Sequence, residues 1–385
     1  MSSPTTPPSA SPARSAVIDV LRGVAITLVL LLHYSLTYRL SDSPLAALLG
    51  RDGVRTLVNN GNYGVTMFFV VSGFLITTNS LARYGSLGAI DRSEFIRFRA
   101  ARILPCLLLA VGVIVVLGLA GAPSFGNEID HQPLPAIWFV WGAGSMLTFT
   151  HNLLMQSVGY FNYCLNIYWS LSVEEVFYLG FPLLCVALRR ERWVVLVAVL
   201  LIVVAPLYRQ QHADDELYFM YGYAACFDAI AFGVLAALCA QRWSPPRHAG
   251  VWAGLAALTM VVVYARGIVS HESMGFTQLA LATAALLFLT SAGAGRGLAL
   301  TRVLAPLRWA GRHSYELYLF HIVVLAVMRD VLPRNQLGYA YKLPWLAVFI
   351  AVSALVAAVV ARHVSEPANA DLRRPRRQFQ PRSSS

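Results

Sequence analysis

Long apolar runs separated by short loops are the feature that most constrains how this 385-residue chain folds. Ten runs approach the length of about 20 residues that an α-helix needs to cross a bilayer. Charged residues make up only 13% of the chain, whereas a soluble domain carries about 25%. The sequence therefore predicts an all-α integral membrane protein. The predicted spans lie at residues 16–38, 62–80, 102–121, 168–188, 193–208, 222–241, 248–265, 275–293, 313–331 and 343–362.

The distribution of basic residues predicts how these spans are oriented. Loops after the even-numbered spans are rich in arginine, as is the C-terminal tail, whereas the long loop 122–167 contains no lysine or arginine. Cytoplasmic loops carry the excess of basic residues. We therefore predict a bundle of about ten transmembrane helices with both termini in the cytoplasm. The aromatic-rich stretch 136–158 is typical of an interfacial or re-entrant helix.

Composition also excludes several classes of protein. The net charge is +11, but the basic residues form short clusters between apolar runs instead of one basic face, so nucleic-acid binding is not expected. The five cysteines show no metal-binding spacing, and no metal is expected. Residues 1–15 are rich in serine, proline and threonine, which predicts a disordered N-terminus without a cleavable signal peptide.

Ionisable side chains inside the first span are candidates for function, because such groups are costly in lipid unless they are paired or face a cavity. Arg22 and His33 are 11 residues apart, which returns them to nearly the same helix face. They are separated by roughly 16 Å along the axis. Asp19 lies one turn before Arg22 and is placed to pair with it. The alternatives are a snorkelling arginine and a histidine satisfied within the core.

The third and fourth spans carry further charged candidates. Arg99 and Arg102 share a helix face at the cytoplasmic entry to the third span and suit phosphate groups, although a cluster that only sets topology accounts for them as well. Glu174 and Glu175 follow Ser170 at the start of the fourth span. Because adjacent helical residues point about 100° apart, we expect at most one of the two carboxylates to face a shared site.

The ninth span carries an aromatic stretch between two polar groups. Glu316 and His321 flank this stretch, and Tyr315 and Tyr318 lie three residues apart within it. One interpretation is a functional site. The other is a structural network of tyrosines and histidine.

Six segments of the chain, in the same order, resemble the membrane-bound acyltransferase-3 family, the bacterial O-acyltransferases that modify surface glycans and other small acceptors. The resemblance covers about residues 16–367 and implies one transmembrane acyltransferase domain over that range, followed by a basic cytoplasmic tail at 368–385. The segments are IDVLRGVAITLVLLLHYS, YGVTMFFVVSGFLIT, FIRFRAARILP, WSLSVEEVFYLGFPLL, FDAIAFGVLAAL and SYELYLFHIVVL.

The resemblance implies transfer of an acyl group, usually acetyl, from cytoplasmic acyl-coenzyme A. The implied acceptor is a hydroxyl of a glycan or lipid-linked saccharide at the bacterial inner membrane. The resemblance further implies that His33 is essential and that Arg99 and Arg102 contact the coenzyme A phosphates. The family's carboxylate maps to Glu174 or Glu175, with Glu174 preferred.

The family pattern suggests a mechanism and also shows one departure. In our hypothesis His33 deprotonates the acceptor hydroxyl or briefly carries the acyl group, Glu174 orients it, and Arg22 faces the pyrophosphate or the thioester. Asp228 matches a polar position of the family. An arginine that often precedes this position is replaced here by Cys226 or Phe227.

Two other classes compete with an enzyme. A transporter or flippase also places arginine, histidine and glutamate within the membrane, but it favours inverted repeats, which are not evident here. A polytopic scaffold or sensor gives no reason for the paired arginine and histidine sites. Sequence alone identifies neither the acceptor nor the oligomeric state.

Overall fold

The apolar runs of the sequence form helices in the computed structural model, which describes residues 15–373. The predicted disordered residues 1–14 and the part of the basic tail beyond Arg373 lie outside the described residues. The helices are α1 Ala16–Tyr38, α2 Leu45–Asn59, α3 Asn62–Tyr84, α4 Arg92–Leu119, α5 Ile137–Leu147, α6 His151–Val158, α7 Trp169–Leu188, α8 Glu191–Gln211, α9 Glu216–Phe219, α10 Tyr223–Arg242, α11 Ala249–Arg266, α12 Gly275–Thr290, α13 Arg296–Ala299, α14 Ala305–Arg312, α15 Ser314–Val331, α16 Lys342–Val360 and α17 Glu366–Arg373. A short hairpin pairs β1 Glu128–Ile129 with β2 Gln132–Pro133.

Each of the ten predicted spans coincides with one of these helices. Eight helical segments of the described chain are long and apolar enough to cross a membrane, and they contain α1, α3, α4, α7, α8, α10, α11 and α16. Of the other two, α12 has only 16 residues, and α15 carries Glu316, Arg329 and Asp330. The protein is therefore an all-α membrane protein, while the number of crossings and the cytoplasmic placement of both termini stay predictions.

Helix α4 begins ten residues before the predicted third span. The side chain of Asp91 caps it by accepting hydrogen bonds from the backbone N–H groups of Ser93 (2.9 Å) and Glu94 (3.1 Å). A side-chain acceptor at this position satisfies N–H groups that have no partner inside the helix. As a result, Arg99 and Arg102 lie well inside α4 and not at its entry.

The helices divide into a buried core and an outer layer. Helices α1, α3 and α10 bury more than half of their most apolar stretch, whereas α8, α11 and α16 bury less than a quarter. The exposed apolar side chains of the outer helices suit contact with lipid, as expected for a membrane protein. Five of the inner and intermediate helices, α1, α3, α4, α7 and α15, surround the site described below.

Small residues bring the central helices into close contact. A Cβ atom on Gly73 of α3 would lie 2.1 Å from the carbonyl oxygen of Ile230, and one on Gly233 of α10 would lie 2.0 Å from that of Val70. Neither position therefore accepts a side chain without separating α3 from α10. Gly311 likewise brings α14 against the backbone of α1 at Asp19. Such contacts between small residues are the usual way in which membrane helices pack closely.

The long loop between α4 and α7 is folded and anchored. The predicted interfacial stretch forms two short helices, α5 and α6, which are separated at Phe149, a residue with a φ of 59°. Asn162 ties the loop together by donating to Asn127 Oδ1 (2.8 Å) and accepting from the backbone N–H of Leu165 (2.9 Å). Asp330 of α15 accepts a 2.6 Å hydrogen bond from the Ser124 hydroxyl. This loop is therefore part of the folded protein.

Candidate active site

A cavity lies among α1, α3, α4, α7 and α15. It brings together seven of the residues that the sequence singled out, from four separate helices. These residues are Arg22, Arg99, Arg102, Ser170, Glu174, Glu175 and Tyr315. Three more polar residues of the cavity gave no signal in the sequence: Ser72, Tyr178 and Ser314. Tyr318, which also lines the cavity, was noted only as part of the aromatic stretch of the ninth span.

Three guanidinium groups line this cavity. Arg22 is buried, and its Nη2 donates a 2.7 Å hydrogen bond to the Ser314 hydroxyl of α15. The guanidinium of Arg99 lies over the ring of Tyr178, 4.0 Å from its centroid. Arg102, also on α4, is the third arginine of the cavity lining. Guanidinium groups at such a site suit a ligand with several anionic oxygens, because each can form paired hydrogen bonds with a phosphate.

Both glutamates line the cavity, so the expectation that at most one would face a shared site is wrong. The cavity extends around α7 from α3 to α4 and α15, and it therefore meets two side chains that point about 100° apart. Glu175 is buried, and its Oε1 has no hydrogen-bond partner among the described residues.

A chain of hydrogen bonds orients Glu174. The Ser72 hydroxyl donates to Glu174 Oε1 over 2.6 Å. The Tyr178 hydroxyl lies 2.6 Å from the same serine oxygen. Because the single proton of Ser72 goes to the carboxylate, Tyr178 must donate to Ser72. This series of hydrogen bonds links Glu174 to Tyr178, and Arg99 stacks on the Tyr178 ring.

His33 lies outside the residues that line the cavity, next to His321 of α15. Its Nδ1 is 3.1 Å from Nε2 of His321, and the two ring centroids are 5.0 Å apart. His321 is fully buried, whereas His33 is half-buried. The ring of Tyr318, which does line the cavity, is 5.9 Å from that of His321. Tyr318 therefore lies next to the histidine pair and also lines the cavity.

The predicted contact between Glu174 and His33 is not present. Within residues 15–373, the partner of Glu174 is Ser72, and the partners of His33 are Val29 and His321. The neighbour of His33 is therefore the imidazole of His321 and not the predicted carboxylate of Glu174. The buried Asp19 lies on α1 as expected, and its pairing with Arg22 stays a prediction.

Asp228 lies outside the cavity, in a buried ion pair. Its carboxylate receives two hydrogen bonds from Arg209 of α8, at 2.7 and 3.2 Å, and a third from Thr277 at 2.7 Å. Arg209 also donates to the carbonyl oxygen of Ser273 (2.9 Å). The cation that pairs with Asp228 thus comes from the preceding membrane helix, α8. Sequence reasoning missed Arg209 because it follows the last residue of a predicted span, where an arginine usually only marks the end of the span.

Breaking this ion pair is expected to destabilise the protein strongly. Arg209→Met leaves the buried Asp228 without its cation, which costs about 3–5 kcal/mol for pairs of this kind. Arg242→Met is the matched control, because Arg242 pairs with Glu191 at the surface over 3.2 Å, and such pairs contribute about 0–1 kcal/mol. Thermal unfolding in detergent should therefore show a much lower midpoint for Arg209→Met than for Arg242→Met. Equal midpoints would contradict a structural role for the buried pair.

Possible metal ligands do not cluster in the structure. Among residues 15–373, no group of three or more histidine, cysteine or acidic side chains is placed to hold a metal ion. The five cysteines, which all lie within this range, are free thiols.

Comparison with known proteins places these residues in a family. A family model described as an acyltransferase domain matches residues 16–363. O-acetyltransferase OatA of Staphylococcus aureus, in strain NCTC 8325 / PS 47 and in strain COL, is 33% identical over 132 residues, which is 33% of this chain and 20% of OatA. The chain thus spans about a fifth of the length of the curated relatives it matches. No solved structure matches the chain.

Proposed function

This chain belongs to the acyltransferase-3 family, and from that premise we propose that it is a membrane O-acyltransferase. In this proposal it transfers an acyl group, normally acetyl, from cytoplasmic acyl-coenzyme A to a hydroxyl of a glycan or lipid-linked saccharide. The reaction takes place at or across the bacterial inner membrane. The observation that carries the proposal is a single cavity in which three arginines and two glutamates meet, with a histidine pair beside it.

The three arginines of the cavity are evidence that the acyl donor is anionic. Coenzyme A carries a diphosphate and a further phosphate, and paired hydrogen bonds from guanidinium groups recognise such oxygens. In the proposed complex Arg99 and Arg102 bind phosphate groups, and Arg22, which Ser314 holds in place, faces the diphosphate or the thioester. The hydrogen bond from Ser72 keeps Glu174 within the cavity, so we assign this glutamate to positioning the donor and not to orienting His33.

The proposed reaction exchanges a thioester for an ester. His33 accepts the proton of the acceptor hydroxyl, and the hydroxyl oxygen attacks the carbonyl carbon of the thioester. The carbon–sulfur bond then breaks, and the sulfur of coenzyme A takes up the proton from His33 and leaves as the thiol. In the alternative route His33 first carries the acyl group and then passes it to the hydroxyl. In both routes the donor extends from the arginines past Tyr318 toward the histidine pair.

A reconstituted assay tests this function. The purified protein in phospholipid vesicles would receive acetyl-coenzyme A with a radiolabelled acetyl group, and a panel of glucose, rhamnose and N-acetylglucosamine as acceptors. We expect release of coenzyme A thiol and transfer of the label to a sugar or to water. Passage of the label or a sugar across the vesicle with the thioester intact would instead indicate a transporter or flippase. Release no faster than from empty vesicles would contradict the proposal.

A further inference from the structure

The contact between His33 and His321 joins two helices that are far apart in the sequence. His33 lies on α1 and His321 on α15, and the nitrogen atoms in contact are 3.1 Å apart. The fully buried His321 lies next to Tyr318 of the cavity lining, with ring centroids 5.9 Å apart. The hydrogen bonds of the pair show which nitrogen atoms carry protons.

His321 accepts a hydrogen bond at its Nε2. Its Nδ1 lies 2.9 Å from the carbonyl oxygen of Leu317. A carbonyl oxygen can only accept, so Nδ1 of His321 must carry the proton of the neutral ring. Nε2 of His321 is then unprotonated, and its lone pair faces Nδ1 of His33.

The same reasoning places the proton of His33. Its Nδ1 lies 3.0 Å from the carbonyl oxygen of Val29 and 3.1 Å from Nε2 of His321, and both of these atoms are acceptors. Nδ1 of His33 therefore carries the proton and shares it between the two. In the neutral ring Nε2 of His33 is then unprotonated, which is the form that a base requires.

We propose that His321 is the positioning residue for the base in acyl transfer, an inference that rests on the proposed function. His321 holds the ring of His33 in place with Nε2 free. When His33 takes the acceptor's proton on Nε2, the Nδ1–H group of the resulting cation makes a charge-assisted hydrogen bond to His321 Nε2. A carboxylate has this role in serine proteases. A neutral imidazole provides the same acceptor without placing a permanent negative charge within the membrane.

Two substitutions of similar size separate positioning from simple packing. In His321→Gln the side chain is long enough to place an acceptor near the former Nε2, whereas in His321→Asn it ends near the former Nδ1. We expect His321→Asn to reduce kcat by about 10- to 100-fold, as for loss of one hydrogen bond to a charged group. The KM for acetyl-coenzyme A should stay within about twofold, since the arginine cavity is intact, and His321→Gln should recover most of the activity.

His212→Asn is the matched control. Nδ1 of His212 also faces the carbonyl oxygen four residues earlier, at Tyr208 over 2.8 Å, but its ring lies between tyrosines and not beside another histidine. This variant should keep the wild-type kcat. Nitrogen-15 NMR of histidine-labelled protein gives an independent measurement, in which the His33 signals, assigned with a His33→Ala variant, should show a protonated Nδ1 and an unprotonated Nε2.

The outcomes distinguish this inference from the proposed function. Full activity in His321→Asn, equal losses in the Asn and Gln variants, or a protonated Nε2 on His33 would each overturn the role of His321. In these cases a wild-type protein that transfers acetyl and depends on His33 would still support the proposed function. A wild-type protein that leaves acetyl-coenzyme A intact would overturn both.

Discussion

Replacing His33 with alanine is expected to reduce acetyl transfer by about 10²- to 10⁴-fold, the usual contribution of a positioned general base. The reason is that His33 offers the free Nε2 beside the cavity, while its Nδ1 is held by Val29 and His321. Binding of acetyl-coenzyme A should be retained, because the arginines line the cavity and His33 lies outside it. The rate of label transfer in vesicles and donor binding by calorimetry measure the two effects separately.

His248→Ala is the control for His33→Ala, because His248 is exposed at the start of α11 and far along the chain from any cavity residue. It should transfer acetyl at the wild-type rate. A His33→Ala protein that folds and inserts normally and still transfers at that rate would remove His33 from the mechanism.

A double substitution of Arg99 and Arg102 with alanine is expected to weaken donor binding by about 10²- to 10⁴-fold. Hydrogen bonds to charged groups contribute about 1.5–3 kcal/mol each, and the two arginines supply at least one each in the proposed complex. At saturating donor the loss in kcat should be smaller than the rise in KM, because these contacts are made before and during the reaction. Titration with acetyl-coenzyme A and with free coenzyme A measures the change.

Two further variants test the specificity of this effect. Arg92→Ala removes an exposed arginine from the first turn of the same helix and should leave donor affinity unchanged. The conservative Arg99→Lys/Arg102→Lys protein keeps both charges but loses the planar fork of donors and the stacking on Tyr178, so it should bind with intermediate affinity. Unchanged donor affinity in the double alanine protein would exclude the phosphate role.

The local pattern of the sequence predicted the helices well but their ends less well. The ten apolar runs coincide with helices because hydrophobic length is a local property that needs no partner. The start of α4 was misplaced because Arg92 to Arg102 are polar enough to be taken for a loop, and the capping hydrogen bonds of Asp91 decide the boundary.

The candidate site was found in part. Costly charged groups within apolar runs indicated Arg22, Arg99, Arg102, Glu174 and Glu175, and all five line one cavity. The uncharged residues that orient them gave no such signal, since Ser72 and Tyr178 are ordinary residues of a membrane helix. Their function depends on hydrogen bonds between α3 and α7, which no periodicity within either helix could indicate.

The sequence by itself determined the class of protein, the family and the charged residues that a membrane helix would not carry without a reason. Tertiary structure alone decided which of these groups are neighbours. It placed both glutamates on one cavity, gave Asp228 its arginine from α8, and set His321, instead of Glu174, beside His33. The physical reason is that contacts between helices depend on how closely their backbones approach, as at Gly73 and Gly233, and not on spacing along one helix.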